Sequence, residues 1–418
     1  MPDYIYGSGV TNIARIYPFE IGNTYSKYDI AFFSGYTDGS PGTPSTANEL
    51  STATGHYYYS GESPAVATAA NSPAGGTTEW TQKLFMEPSY GSSVSYQNHS
   101  YDVAFGDGYY NVLNKSENSL RATFAFNFNK RGDKEAKALV HLFEDAFNKG
   151  QKPSGGYTGV YCTPFAPYNN EHEFYIDSFD RTFESPDVNA ISAELNREDQ
   201  STLNWQEFYI PFAQTRGFFE TGVSYSEHDI TYLSGTVNVS NDKYKAFQSG
   251  WYYYTGNAVT SSTHANGPVG ATSLWTKNKF YFSLNQGVQI NEAPRYLQHS
   301  VQNSYYIRTE DGINNDLLNL DFMLDGRTDK EAKAIVHFME HHQGKNQFEF
   351  TPPAPYDITG KVFMCPSWDH TLNFKDNNSV NVNFIEFPIN LLSQQLTFKT
   401  LITCDPYFDP PAGGAQGP

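Results

Sequence analysis

Two periods of apolar and polar residues alternate along this chain. From Leu120 to Phe128 (LRATFAFNF), Ala122, Phe124, Phe126 and Phe128 alternate with Arg121, Thr123 and Asn127, the two-residue period of a strand with one buried face. At Asp133 the period lengthens, and Ala136, Leu139, Val140, Phe143 and Phe147 fall on one stripe of a helix. Asp133 opens this predicted helix, where a carboxylate can cap free N–H groups and meet the positive end of the dipole. A Gly/Ser loop (Lys149 to Gly156) follows, then strand-like stretches at Tyr161 to Tyr168, Glu173 to Phe183 and Asp187 to Leu195. The expected unit is β-β-α-β-β, a sheet with one helix laid across it, and α+β in class.

The pattern then returns. DKEAKALVH at Asp133–His141 recurs as DKEAKAIVH at Asp329–His337, with Ala332, Ile335, Val336 and Met339 repeating the stripe. Strands are expected again at Leu317 to Leu324, Phe348 to Phe350, Lys361 to Trp368 and Val380 to Phe387. Upstream, Asp29-Ile30 matches Asp229-Ile230, and YYYSG at Tyr57–Gly61 matches YYYTG at Tyr252–Gly256. Pro73 matches Pro268, Trp80-Thr81 matches Trp275-Thr276, and Phe85 matches Phe280. Downstream, TPFAPY at Thr163–Tyr168 matches TPPAPY at Thr351–Tyr356. Ser178, Asp180 and Thr182 match Ser367, Asp369 and Thr371, with Phe179 facing Trp368. The chain is two copies of one unit of about 200 residues, the size of one or two domains.

Each copy begins with a charge-poor stretch rich in Gly, Ser, Thr and Ala. In the first, strand-like pieces (Tyr28 to Phe33, His56 to Ser60, Trp80 to Phe85) are separated by long polar loops, which predicts a small, loop-dominated module. The order Tyr-x-x-Asp-Ile, a Tyr-rich strand ending in Gly, then Pro, then Trp is similar to small carbohydrate-binding modules of the chitin-binding type. That resemblance implies sugar stacking by Tyr58, Tyr59 and Trp80 and by their counterparts Tyr253, Tyr254 and Trp275. The alternative use of the same rings is to anchor a tiny core.

Composition narrows the function. Tyr and Phe, at 31 each, suit pleated, half-buried surfaces, and 33 Gly with 23 Pro supply turns between short strands. The net charge of −18 argues against gripping nucleic-acid phosphates or an anionic membrane. No stretch approaches the roughly 20 apolar residues of a membrane span. The start, MPDYIYGSGV, lacks the basic and apolar regions of a secretory leader, so export by one is not expected. Cys162, Cys365 and Cys404 are odd in number and unaligned across the repeat, which suits a reducing compartment and, for the first two, a role as small buried hydrophobes.

One constellation has enzyme spacing. His337, Glu340 and His341 spell H-x-x-E-H on the second helix, the inverted zinc-protease order. The first copy carries His141 and Glu144 but Asp145 where His341 stands, so no metal site is expected. Arg131-Gly132-Asp133, an adhesion-like tripeptide, reads Arg327-Thr328-Asp329 in the second copy and is most simply a helix start.

The second part of each copy resembles the minor tail protein M family of long-tailed phages. FGDGY at Phe105, the strand–helix step, Gln343-Gly344 closing the second helix and FEFTPPAPYD at Phe348–Asp357 carry the resemblance. The strand with Trp368 and the alternating strand at Val380 to Phe387 continue it. FGDGY is aligned with Glu310-Asp311-Gly312 of the second copy. The family implies tail-tube-like domains, six of which close a ring around the tail channel, and it brings no catalytic residue and no cofactor.

The expected fold is α+β, mostly β: two tube-like β-sandwich or barrel domains, each with one packed helix, plus two small loop-rich β modules. The expected divisions are an N-terminal strand segment (1–22), the first module (23–86), the first tube-like domain (87–200), a linker strand (201–222), the second module (223–282), the second tube-like domain (283–390) and a C-terminal strand with a Pro/Gly-rich tail (391–418). The resemblance implies a structural virion protein of the tail tip, distal tail or baseplate, assembled in the host cytoplasm. Its expected partners are copies of itself, as a trimer with pseudo-sixfold symmetry or a hexamer, together with tube, hub or fibre proteins and host-surface glycans. A glycan-binding recognition protein and a polysaccharide-degrading enzyme are the alternatives from other classes.

Overall fold

The computed structural model describes residues 16–33, 55–68, 71–73, 79–106, 109–114, 120–148, 159–165, 168, 171–197, 218–233, 249–259, 262, 267–268, 274–285, 287–292, 294, 296–301, 305–310, 317–356 and 361–387. Residues 1–15 of the expected N-terminal segment, the Gly/Ser loop at 149–156, most of the linker at 201–222 and the C-terminal segment 391–418 lie outside these residues.

In the first half, β1 (Ser93–Asn98) and β2 (Leu120–Arg131) lead to α1 (Asp133–Asn148), followed by β3 (Val160–Cys162), β4 (His172–Ser185) and β5 (Val188–Arg197). The second half repeats this order as β6 (Gln289–Glu292), β7 (Leu318–Arg327), α2 (Asp329–His342), β8 (Phe348–Glu349), β9 (Val362–Phe374) and β10 (Asn377–Phe387). All ten strands join one antiparallel sheet in the order β3-β4-β5-β2-β1-β9-β10-β7-β6, with β8 also on β9. Among the described residues the fold is mostly β with two helices, as the periodicity predicts; in place of two expected sandwich or barrel domains, the halves share one open sheet, because β1 of the first half pairs with β9 of the second.

The period-2 pattern places Phe124, Phe126 and Phe128 on the buried face of β2, where each is 0% exposed. α1 packs over β4 and β5, and α2 over β9 and β10. The expected single stripe is too narrow for α2, which buries Ala334, Val336, His337, Phe338 and Glu340 as well as Ala332, Ile335 and Met339. It lies between the sheet and the second small module, so both of its faces are covered.

Helix starts share a set of contacts in the two halves. The hairpin residues Asp187 and Asp376, both at φ +57, accept the N–H of Asp133 and of Asp329 at 2.8 Å. Asn189 and Asn378 in turn donate to the carboxylates of Asp133 and Asp329 at 2.8 Å. In α2 the capping expected of the aspartate that opens each nonapeptide copy, here Asp329, is done by Thr328, whose hydroxyl accepts from the Glu331 N–H at 3.2 Å. Arg131 and Arg327, each pairing with a glutamate four residues on (2.7 and 2.6 Å), are likewise part of the helix start.

Small sheets form the modules: Ile16–Pro18, Ile30–Phe33, Gly55–Tyr59 and Trp80–Thr81 in the first, and Ile230–Leu233, Gly250–Tyr254 and Trp275–Thr276 in the second. The predicted strand at Trp80 to Phe85 is thus only two residues long, because the chain turns away at Gln82 to dock Leu84 and Met86 into the large core. A hairpin follows the first strand of each unit, Ser100–Gly106 with Tyr109–Asn114 and Tyr296–Val301 with Tyr305–Glu310. Of FGDGY, Phe105-Gly106 end the first strand of one hairpin and Tyr109 opens its return, with Asp107-Gly108 outside the described residues, whereas Glu310 ends the second strand of the other. The two stretches aligned by sequence are therefore not counterparts; Tyr109 and Tyr305, which open the returning strands, are.

Candidate functional site

Two sets of contacts organise this molecule: those that hold each small module on its helix, and those that join the halves.

The module contacts explain the repeated nonapeptide. Lys134 and His141 lie two helical turns apart and face the first module together. The Lys134 ammonium pairs with Asp29 at 3.0 Å and donates to the Ser26 hydroxyl at 2.5 Å. The Tyr58 hydroxyl meets His141 Nδ1 at 2.9 Å. In the second half, Lys330 reaches Asp229 at 3.0 Å and Ser226 at 2.6 Å, and the Tyr253 hydroxyl meets His337 Nδ1 at 2.9 Å. The aspartates are nearly buried and fix their own turns by accepting the Ser26 and Ser226 N–H at 2.8 Å. Sequence reading paired these residues by repetition without seeing that they touch.

The six aromatic residues assigned to sugar stacking are placed accordingly. Tyr58, Tyr59, Tyr253 and Tyr254 are 0–2% exposed, and Trp80 is 8% exposed. Trp80 packs edge-on against Phe19, Tyr25 and Tyr59 and donates its indole N–H to the Asn71 carbonyl at 2.9 Å. Trp275 is half-buried against Phe219, Tyr225 and Tyr254. Tyr58 and Tyr253 extend the core of the large sheet, so these rings anchor the modules to it.

The H-x-x-E-H residues point to separate partners. His337 faces Tyr253 and Trp251, while the buried Glu340 accepts a hydrogen bond from Tyr96. Among the described residues no group of three His, Cys, Asp or Glu is arranged to hold a metal ion. Burial holds the His337 imidazole well below its ordinary pKa, that of His341 at about 4 and that of His342 at about 3. Cys162 and Cys365 are buried free thiols, and burial pushes both above the usual range.

The second set of contacts is the junction of the halves. β1 pairs antiparallel with β9 in the register Ser93↔Thr371, Val94↔His370, Ser95↔Asp369, Tyr96↔Trp368 and Gln97↔Ser367. Alternation sends Val94 and Tyr96 inward, 0% and 1% exposed, while Ser95 and Gln97 face out. Tyr96 stacks on Trp368, their centroids 4.8 Å apart and their planes 14° from parallel. Its hydroxyl donates to Glu340 at 2.8 Å, so an edge strand of the first half reaches the helix of the second.

A buried polar chain continues from there. The Tyr168 hydroxyl, from the first half, lies 3.2 Å from that of Tyr96 and 3.3 Å from His370 Nδ1. Asn378 uses its amide N–H groups on Asp329 and the Arg327 carbonyl, which leaves its oxygen to accept from His370 Nε2 at 2.9 Å. His370 Nδ1 is therefore the acceptor for Tyr168. Burial lowers the His370 pKa to about 4, so the ring is neutral at pH 7. Burial first, and then the charge of Glu340, raise the Tyr96 and Tyr168 hydroxyls. Gly344, at φ +69, closes the contact: a Cβ there would stand 2.7 Å from Asn98 Cβ. Sequence reading missed β1 altogether, although SVSYQN carries a short alternation around Val94 and Tyr96.

The junction and its docked helices define an α+β protein made of two head-to-tail copies. Residues 278–387, which span β6 to β10 with α2, match the family described as phage minor tail protein. The match spans about a quarter of the chain and supports a structural protein of the phage tail. The first half, its internal copy, lies outside the matched range. Among curated proteins none matches the chain. No helix among the described residues is long and apolar enough to cross a membrane.

Proposed function

We propose that this chain is a ring-forming component of the tail tip, distal tail or baseplate of a phage, acting by assembly. The observation that carries the reading is the junction: two copies of one unit join through unlike edges, β1 of one and β9 of the other. A head-to-tail contact of this kind leaves a complementary pair of edges at the ends and must either close into a ring or grow a filament. Three chains would supply six units in a pseudo-sixfold ring; six chains would stack two rings or add a collar. The net charge of −18 suits a channel wall past which DNA moves without adhering.

Native mass spectrometry of the full chain tests this. A closed trimer is the expected result, and a monomer that persists at virion-like local concentration would overturn the ring. Contact with host-surface glycans would rest on rings with an accessible face. Of the six expected, Trp275 retains the most surface, and loss of glycan-array signal in Trp275→Ala is the outcome such contact requires.

A further inference from the structure

We infer that neighbouring chains join by pairing β4 of one with β6 of the next, in the register of the internal junction. This rests on the ring reading and specifies its seam. β6 is the counterpart of β1: Val94 pairs with Phe124 on β2, and Ile290 pairs with Leu320 on β7, at the same place in the repeat. β4 is the counterpart of β9. On β9, β8 covers Val362 and Phe363 while β1 covers Ser367 to Thr371. On β4, β3 covers His172 to Phe174. The following stretch, Ser178 to Thr182, has no strand on that side among the described residues. The outer edge of β6 is open in the same sense. The two open edges are thus copies of the two that are joined.

Their exposure differs in the direction an unmade seam requires. Trp368 and His370 on β9 are 1% and 0% exposed beneath β1. At the matching places on β4, Phe179 is half-buried and Arg181 exposed, and Phe183 beyond them is 63% exposed. A long bare edge with an exposed aromatic ring is a template for another strand, and natural proteins rarely leave one uncovered.

The chemistry at the seam is compatible with the register. Carried over from the internal junction, Phe179 faces Glu292, Asp180 faces Asn291, Arg181 faces Ile290 and Thr182 faces Gln289. No like charges oppose one another. Arg181 lies diagonal to Glu292 on the same face, within reach of an opposite-charge cross-strand contact. The internal junction is aromatic and buried; the seam between chains is polar. The ring would therefore alternate a strong contact with a weaker, salt-sensitive one.

Cysteine pairing tests the inference in the full chain carrying Cys404→Ser, since Cys162 and Cys365 are buried. Opposed positions in an antiparallel pair place Cα atoms about 4.5–5.5 Å apart, within disulfide range. Asp180→Cys with Asn291→Cys should give a reducible ladder of covalent oligomers ending at the closed ring. Ser95→Cys with Asp369→Cys, the matching internal pair, should oxidise without any change in mass. Asp180→Cys with Gln289→Cys, two residues out of register, should cross-link at least tenfold less. An oligomer by native mass spectrometry that shows no Asp180–Asn291 cross-link overturns the seam and leaves the ring standing. A monomer overturns both.

Discussion

In the second half, β9 lies beneath a neighbouring strand, and Trp368 and His370 are sealed from water. In the first half, β4 carries Phe179 and Arg181 at the same places, and among the described residues no strand covers them. The helix-to-module contacts show no such difference: Lys134 and Lys330 both stand 3.0 Å from their aspartates, and both tyrosine–histidine pairs measure 2.9 Å. A contact made inside each copy has the same partner twice and keeps its chemistry. On the proposed seam, a contact between copies would have one partner within the chain and another outside it, and at those positions the side chains diverge. The fused edge is aromatic and dry, whereas its copy on β4 carries Asp180 and Arg181 beside Phe179.

Trp368→Ala should have the largest effect. Removing this buried ring is expected to cost about 3–5 kcal/mol in urea unfolding, whereas Phe179→Ala costs about 1 kcal/mol in the unassembled chain. Equal losses would break the comparison.

Acid should act mainly on the second half. Unfolded, histidine titrates near 6.5; folded, burial holds His341 and His370 at about 4 and His342 at about 3. Between those values the unfolded chain binds more protons, so their contribution is complete above pH 6.5 and is lost as the pH falls towards 4. The expected slope is on the order of 1.4 kcal/mol per pH unit for each imidazole, read from unfolding curves between pH 7 and pH 4. His370→Gln should lower it by the share of one imidazole, and a flat profile in the parent protein would contradict these three burials.

Tyr96→Phe separates the polar chain from the stacking. The ring over Trp368 remains, but Glu340 loses a donor in a buried site, at a cost of about 1–3 kcal/mol. Glu340→Gln combined with Tyr96→Phe should restore part of that loss if the penalty is the stranded charge. The smallest effect sharpens the likeness between halves. Lys134→Ala and Lys330→Ala should each lower stability by about 1 kcal/mol and by similar amounts, because both ammonium groups meet a nearly buried aspartate from a partly exposed position. A large difference between them would show that the modules are held unequally.

The local content of the fold was legible in the sequence. Period-2 and period-3.6 patterns placed β2, α1 and their copies, because burial of one face leaves its mark on residues close together in the chain. Repetition marked Asp29, Tyr58, Lys134 and His141 as a set, though not as contacts, since a partner some hundred residues away leaves no local period. The same limit misaligned FGDGY with Glu310-Asp311-Gly312: similar letters outweighed the hairpin position that only strand pairing reveals.

What the sequence determined alone is the duplication, the class of each half and a net charge of −18. Tertiary structure decided how the halves meet. Nothing in Ser93 to Asn98 says that its free edge belongs to β9 rather than to another chain, since backbone hydrogen bonds are the same in either case. The choice is made by side chains that converge only when folded: Tyr96 over Trp368 and towards Glu340, and Gly344 passing Asn98 where any other residue would collide. Those contacts are the physical reason why this edge is closed within the chain, while among the described residues its copies on β4 and β6 carry no such partner strand.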